Sequence, residues 1–181
     1  MWYVLGAVLL VALYAISLYN GLVTLRQRVR NAWSQIEVQL RRRFDLIPNL
    51  VETVKGYATH EREVFERVTN ARAQVGAASN VDEQIQAQTI LGGALRGLLA
   101  VAENYPQLQA SANFRELQGE LSNTESKIAF SRQFYNDTVM KYQTRIERFP
   151  ANVLAGVMGF GSQPYFQVEE EAARGPVQVR F

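Results

Sequence analysis

The sequence predicts an all-α protein: an N-terminal transmembrane helix continues into an antiparallel bundle of three to four long helices, with a mostly irregular C-terminal tail. Three observations lead to this fold class. The stretch from Trp2 to Leu25 carries no charged side chain. Apolar residues then recur at steps of three and four as far as Phe149, which is the pattern of amphipathic helices. Glycine and proline interrupt the residues that follow.

Composition excludes several classes of function. The chain has 181 residues, of which 48% are hydrophobic and 20% charged, the balance of a folded protein. It has no cysteine, which excludes disulfides, thiolate zinc sites and cysteine nucleophiles. Its single histidine, His60, shares a predicted helix face only with Glu63, too few ligands for a metal site. A net charge of +2 does not indicate nucleic acid as a partner. We therefore expect no cofactor, no metal, no small-molecule substrate and no enzymatic activity.

The uncharged N-terminal stretch predicts a membrane anchor over residues 1–25. About 20 apolar residues in a helix match the ~30 Å hydrocarbon thickness of a bilayer. Trp2, Tyr3 and Tyr19 fit the aromatic belts of the two interfaces. A cleaved signal peptide is the alternative, but it needs a basic region and a small-residue cleavage site. Neither is present, so a retained anchor is the better interpretation.

The basic residues predict the orientation of the anchor. Arg26, Arg28 and Arg30 follow the span directly, and residues 41–43 are also arginines. The positive-inside rule then places a short N-terminus outside and the remaining residues in the cytosol. The first three arginines are candidate contacts to lipid headgroups. Residues 41–43 lie about 20 Å further along a straight helix, too far for that role.

The first amphipathic pattern runs from the anchor to about residue 75, with Pro48 as its one obstacle. Proline removes a backbone donor, so we expect one long helix kinked at this point. The alternative makes Asp45 the N-cap of a new helix with Pro48 in its first turn. Asp45, Pro48, Asn49 and Glu52 are candidate partner contacts, although a local ion pair between Arg41 and Asp45 is the simpler explanation. The apolar positions include Leu22, Leu25, Val29, Ala32, Trp33, Ile36, Leu40, Phe44, Ile47, Val51, Val54, Ala58, Phe65 and Val68.

Residues 76–80 are predicted to end this helix. Asn80, followed three residues later by Glu83, resembles a capping box that begins the next helix. The apolar segment ILGGALRGLLAVA in that helix is too short for a second span and indicates a buried helix. We expect Gly93 and Gly97 to allow close approach of a neighbouring helix.

The last long helix is predicted to begin after Ser111 and to end at Phe149-Pro150. Glu125 and Arg132 occupy positions of its apolar stripe, either as a half-exposed pair or as polar groups inside the bundle. Its apolar positions are Phe114, Leu117, Leu121, Ile128, Tyr135, Val139, Tyr142, Ile146 and Phe149. A second apolar patch follows, which would cap the bundle, meet another subunit or enter the membrane interface: Phe149, Val153, Leu154, Val157, Met158 and Phe160.

The C-terminus alternates apolar and polar residues, with Val177, Val179 and Phe181 on one side of a predicted strand. A five-residue strand cannot pair its own backbone, so it either adds to the edge of a partner or is disordered. These three residues are candidate partner contacts. The predicted organisation is an anchor over 1–25, a helical bundle over 26–160 and a tail over 161–181.

Three segments together closely resemble the LemA family. The first is YNGLVTLRQRVRNAWSQIEVQLRRRFDLIPNLVETVKGYATHE, the second Glu103-Asn104-Tyr105-Pro106, and the third contains Glu125, Ile128, Arg132, Tyr135 and Asn136. The resemblance implies a protein of the bacterial inner membrane with a short outer N-terminus, a single span and a cytosolic helical bundle. The family has no established enzymatic activity, and its relatives among magnetosome-membrane proteins suggest a role in membrane organisation.

Two functional hypotheses follow. The first is a membrane-anchored, non-enzymatic scaffold that self-associates or recruits a membrane protein partner through its helical bundle. The alternative is a regulatory module that changes the activity of a neighbouring membrane enzyme, such as a peptidase or sensor. The partners expected are the lipid bilayer and either further copies of the chain or another membrane protein.

Overall fold

The computed structural model describes residues 1–167 and contains six helices in that range. They are α1 (Trp2–Lys55), α2 (Arg62–Ala77), α3 (Val81–Ala102), α4 (Pro106–Ala110), α5 (Ala112–Glu147) and α6 (Ala151–Val157). No β-strand occurs among the described residues, so the predicted all-α class is confirmed. Two compact units are present: residues 1–46 with 119–165 form the first, and residues 47–118 with 166–167 belong to the second.

Helix α1 is continuous through Pro48 and ends at Lys55. The alternative of a new helix capped by Asp45 is therefore wrong. So is the expectation that this helix extends to about residue 75, because a turn separates α1 from α2. Gly56 follows the last helical residue, a position in which glycine is favoured, and the amide of Ala58 donates to the Val54 carbonyl at 2.9 Å. His60 consequently lies exposed in this turn and not on a helix face.

Helices α1 and α5 pack antiparallel in the first unit. The indole of Trp33 meets the ring of Tyr135 edge to face at 5.4 Å between centroids, and Arg43 pairs with Glu125. Ten residues separate the two contacts on each helix, in opposite directions, which defines the register. Apolar α1 side chains buried in this unit are Leu18, Leu22, Val29, Ala32, Trp33, Ile36 and Leu40; those of α5 are Leu121, Ile128, Tyr135, Val139 and Tyr142.

Helices α2 and α3 form the main helical pair of the second unit, joined by a short capped turn. The Asn80 side chain accepts a hydrogen bond from the Glu83 amide at 2.9 Å, as the predicted capping box requires. The Glu83 carboxylate accepts from both the amide and the hydroxyl of Ser79, each at 2.8 Å, rather than from the amide of Asn80. The cap therefore spans one residue more than predicted.

The chain after α5 is irregular apart from α6, but side chains of α5 fix it. The hydroxyl of Tyr142 donates to the Gly161 carbonyl at 3.0 Å, and that of Tyr135 donates to the Pro164 carbonyl at 2.8 Å. Phe149, expected on the apolar stripe of α5, follows the end of that helix and is 83% exposed. That expectation was wrong. Val177, Val179 and Phe181 lie outside the described residues, so the predicted strand stays a prediction.

Within residues 1–167, two helices are long and apolar enough to cross a membrane: α1 and α3. They differ in burial. Only 6% of the most apolar 18-residue window of α1 is buried, whereas 39% of that of α3 is buried. The large apolar side chains of α1 between Trp2 and Ile16 are each more than half exposed. Helix α3 buries Leu91, Leu95 and Leu98 within its own unit, as expected for a core helix.

Candidate functional site

The α1–α5 pair brings together many of the residues that carry the LemA resemblance. The Arg43 side chain, only 5% exposed, donates to the Glu125 carboxylate at 2.9 Å. The neighbouring Arg42 forms a surface ion pair with Glu120, which precedes Glu125 on α5. Trp33 and Tyr135, whose rings are in contact, are also among the residues that carry the LemA resemblance. Because these side chains contact each other across the two helices, they contribute to holding α1 and α5 together.

Tyr142 continues this buried row toward the C-terminal end of α5. Its ring is fully buried. Burial raises the pKa of the phenol, and the nearby guanidinium of Arg26 partly offsets the rise. The hydroxyl therefore stays protonated at neutral pH, as its hydrogen bond to the Gly161 carbonyl requires. The phenol of Tyr142 thus holds the chain after α5 against this helix.

An open groove runs between α2 and α3 in the second unit and is the best candidate for a functional surface. Its volume is about 340 Å³. Small residues of α3 lie on one side, and the larger part of its lining is apolar. The lining residues are Val64, Arg67, Asn70, Ala71, Gln74, Ile90, Gly93, Ala94 and Gly97. A second depression of about 260 Å³, lined in part by Gln74 and Ile90, continues it toward the α2–α3 turn.

The two glycines of this groove do not serve the purpose predicted for them. A Cβ added at Gly93 or Gly97 would meet no neighbouring atom within 4 Å. No helix of the described chain approaches these positions closely, so the expectation of close intramolecular packing was wrong. The glycines instead keep a space open, next to the side chain of Ile90, which is 51% exposed.

The predicted lipid contacts occupy two kinds of position. Arg28 and Arg30 are exposed on α1, just after the uncharged stretch. Arg26 is half-buried, and its guanidinium lies over the ring of Phe160 at 4.7 Å from the centroid. Arg26 thus has a packing role within the first unit, while contact of the other two with headgroups stays a prediction.

The predicted partner contacts near Pro48 are largely paired locally. Asp45 forms an exposed ion pair with Arg41 at 3.4 Å, the simpler explanation offered for it. Glu52 pairs with Lys55 at 3.0 Å. Asn49 is exposed, and its carbonyl accepts from the Thr53 hydroxyl at 2.8 Å. Pro48 is half-buried inside α1. A role of these residues in partner binding stays a prediction.

No group of three or more His, Asp or Glu side chains in residues 1–167 is arranged to hold a metal ion. Glu61, beside the exposed His60, instead accepts a hydrogen bond from the Tyr105 hydroxyl at 3.4 Å. This contact joins two of the three segments that carry the family resemblance, again in a structural role.

Sequence reasoning missed the buried pair of Arg43 and Glu125, although a signal was present. Arg43 continues the spacing of Ile36, Leu40 and Ile47, and Glu125 lies on the stripe of α5. Two opposite charges on facing apolar stripes predict an ion pair between the helices. The α2–α3 groove left a weaker signal, since a glycine spacing of four residues indicates close packing and an open surface equally well.

Comparison with known sequences gives the family. The sequence pattern of the LemA family matches residues 32–181. The chain belongs to the LemA family. A LemA-family relative, magnetosome protein MamQ 2 of Paramagnetospirillum magneticum, is 28% identical over 88% of this chain and 68% of its own length. Magnetosome protein MamQ of Magnetospirillum gryphiswaldense is 26% identical with the same coverage. Protein LemA of Metamycoplasma hominis is 26% identical over 83% of this chain and 69% of the relative.

Family membership confirms the resemblance read from the sequence. Together with the exposed apolar stretch of α1, it indicates a membrane-associated protein. The residues that carry the LemA resemblance lie largely in helix contacts, so membership accounts for the fold of this LemA-family chain more than for its activity.

Proposed function

We propose that this LemA-family protein is a membrane-anchored, non-enzymatic scaffold that works by self-association through the α2–α3 groove. The anchor is the exposed part of α1, whose large apolar side chains from Trp2 to Ile16 find no cover in the described part of the chain. In water such a surface would be costly, at roughly 25 cal/mol per Å² of apolar area. A bilayer removes that cost.

The orientation we propose places the helices that follow the span in the cytosol of a bacterial cell, against its inner membrane. Arg28 and Arg30 support it, because they are exposed directly after the uncharged stretch and basic residues accumulate on the cytosolic side. A single span is part of the proposal, since α3 packs its leucines inside its own unit.

The observation that carries the scaffold proposal is the open groove beside Gly93 and Gly97. Small residues spaced by four allow two helices to approach closely, and neither glycine has such a neighbour within the described chain. We propose a second copy of α3 as the occupant, since the same surface contacts itself in a two-fold dimer. Each copy would place its Ile90 against the small residues of the other. The names of the MamQ relatives, which place them in a magnetosome, agree with a role at a membrane-bound structure.

The test fills the groove without disturbing the monomer. Gly97→Ile adds a side chain into space that is open in the single chain, and replacing a helical glycine by isoleucine lowers the helix-propensity cost by roughly 0.5 kcal/mol. Ala100→Ile is the matched control, since Ala100 is exposed on α3 but does not line the groove. Because the protein has no cysteine, Ile90→Cys adds a unique thiol for crosslinking in native membranes and in mild detergent.

We expect Ile90→Cys to crosslink into a dimer, Gly97→Ile to reduce that crosslinking at least tenfold, and Ala100→Ile to leave it unchanged. Light scattering in detergent should give the mass of a dimer for the unsubstituted protein and for Ala100→Ile, and a lower mass for Gly97→Ile. A strict monomer in both assays would contradict the proposal. Crosslinking of Ile90→Cys to one other membrane protein alone would contradict self-association and favour a regulatory module.

A further inference from the structure

Four exposed apolar side chains near the end of the described chain form what we call the C-terminal apolar patch. They are Phe149, Val153, Val157 and Met158, which are 83%, 59%, 79% and 52% exposed. Val153 and Val157 lie one turn apart on α6 and share a face. The alanines of α6 at positions 151 and 155 are buried. Helix α6 therefore packs these two alanines inward and presents Val153 and Val157 outward.

The register of α1 and α5 places this patch beside the end of the uncharged stretch. Trp33 contacts Tyr135, and seven residues further along each helix Arg26 lies close to Tyr142. Helix α5 ends five residues later, at Glu147. In the same antiparallel register this position lies level with residue 21 of α1.

Direct contacts between α1 and Phe160, which follows α6, support the same placement of the C-terminal apolar patch. The ring of Phe160 lies edge to face against Tyr19, with 5.8 Å between centroids, and under the guanidinium of Arg26. Phe160 is tied to α6 because its amide donates to the Ala155 carbonyl at 3.0 Å. The turn between them uses Gly159, whose φ of 68° glycine adopts without strain. Helix α6 thus lies alongside residues 19–26.

For the membrane span proposed above, the boundary of the membrane falls at this level of α1. Arg26 is the first charged residue after the uncharged stretch, and Tyr19 lies seven residues before it, about 10 Å along a helix. The headgroup region of one leaflet is roughly 5–7 Å thick, so residues 19–26 cover the headgroup and outermost hydrocarbon. Leu18 and Leu22 are already buried against protein there, whereas the large apolar side chains up to Ile16 are open.

We infer that the C-terminal apolar patch enters the headgroup–acyl boundary of the membrane that α1 spans, giving the protein a second lipid contact. Short amphipathic segments bind at this depth through their apolar face. Exposed Arg145 and Arg148 precede the patch and favour anionic headgroups. Since α1 already holds the chain in the bilayer, the second contact fixes the tilt and rotation of the first unit instead of supplying the affinity.

Lipid quenching of a single fluorescent probe tests this inference. The full chain, free of native cysteine, receives Val157→Cys labelled with an environment-sensitive fluorophore and is reconstituted into phosphatidylcholine–phosphatidylglycerol vesicles at 3:1. Lipids with spin labels near the headgroup act as quenchers. Phe130→Cys is the matched control, because Phe130 is a comparably exposed apolar residue, 75% against 79%. It lies on α5 level with residue 38, about 18 Å beyond Arg26.

We expect a blue-shifted emission at position 157 and quenching at least threefold stronger than at position 130. Adding Val153→Asp to the labelled protein should lower the quenching at 157 toward the control value, without unfolding, because that side chain is exposed. Equal quenching at 157 and 130 would overturn the inference. So would a blue shift at 157 that disappears when protein is diluted with lipid, since a second copy would then cover the patch. These readouts do not depend on crosslinking through Ile90→Cys, so the scaffold proposal and this inference can fail separately.

Discussion

The two main helix pairs of this protein differ in how closely their helices fit together. The α1–α5 pair of the first unit packs large side chains tightly, with Trp33 against Tyr135 and a buried arginine on a carboxylate. The α2–α3 pair of the second unit also buries large side chains, such as Phe65 and Leu91, but leaves an open groove beside Gly93 and Gly97. The first pair thus shows specific contacts between its helices, while the second combines a buried core with an open groove. Residues that define the family by resemblance therefore explain the fold, and the less distinctive small residues are the better place to look for function.

The difference also separates two kinds of stabilisation. Contacts between α1 and α5 join residues far apart in sequence, such as Arg43 and Glu125, so they define tertiary structure. The polar contacts at the α2–α3 turn are local, as between Ser79, Asn80 and Glu83. We expect substitutions in the first pair to cost much more than substitutions at that turn.

The largest effect is expected from Tyr135→Ala. Tyr135 is 1% exposed, contacts Trp33 and donates its hydroxyl to the Pro164 carbonyl. Truncation of a buried aromatic leaves a cavity and costs about 3–5 kcal/mol. Urea unfolding of the detergent-solubilised protein, followed by circular dichroism, measures the change.

Phe130→Ala is the control on the same helix, since Phe130 is 75% exposed. Exposed substitutions of this kind change stability by about 0.5 kcal/mol or less. If both variants lost similar stability, the α1–α5 contact would not be the tight pair described above.

A smaller effect is expected from removing the carboxylate that faces the buried arginine. Glu125 and Glu120 are nearly equally exposed, at 43% and 42%, but their partners differ: Arg43 is 5% exposed and Arg42 is 45% exposed. Glu125→Ala should cost about 1–3 kcal/mol, because it removes the hydrogen-bonded partner of a buried charge. Glu120→Ala should cost about 1 kcal/mol or less, as usual for a surface pair.

Both substitutions replace Glu by Ala inside α5, so the change in helix propensity is the same and cancels in the comparison. The unfolding free energies of the two variants are measured in the same urea series. A cost at Glu120 equal to that at Glu125 would show that burial of the arginine does not decide the strength of these pairs.

Periodicity predicted the helices and most of their buried faces, because burial imposes steps of three and four on every long helix. Trp33, Leu91 and Tyr142 were all expected on apolar faces and are buried. The turn at Gly56 was missed because the apolar positions continue in phase across it, from Val54 through Ala58 to Phe65. One turn of irregular chain can preserve the spacing of a helix without its hydrogen bonds.

The candidate site was less predictable for a different reason. A sequence shows that Gly93 and Gly97 are small, but whether a neighbour fills the space beside them depends on tertiary structure. The exposure of Phe149 could not be predicted from the sequence either. Its apolar side chain continues the spacing of the α5 stripe, but the helix has already ended at Glu147, so Phe149 is exposed.

The smallest effect is expected at the α2–α3 turn and depends on pH. Hydrogen bonds from the amide and hydroxyl of Ser79 hold the pKa of the Glu83 carboxyl below its usual value of about 4.5. Because the charged form is favoured in the folded state, its stabilisation is fully present above that value and is lost as pH falls through the lowered pKa. Nuclear magnetic resonance titration of the carboxyl carbon measures the shift.

Two variants distinguish the causes of that shift. Ser79→Ala removes the hydroxyl but keeps the amide, which makes the largest contribution, so most of the lowering of the Glu83 pKa should remain. Glu83→Gln removes the titrating group, and the acid-dependent loss of stability assigned to this turn should disappear from urea unfolding as the pH falls below about 4.5. A pKa of about 4.5 at Glu83 would contradict this prediction. It would mean that the hydrogen bonds from Ser79 do not stabilise the charged carboxylate and that the side chain of Asn80 alone caps the turn.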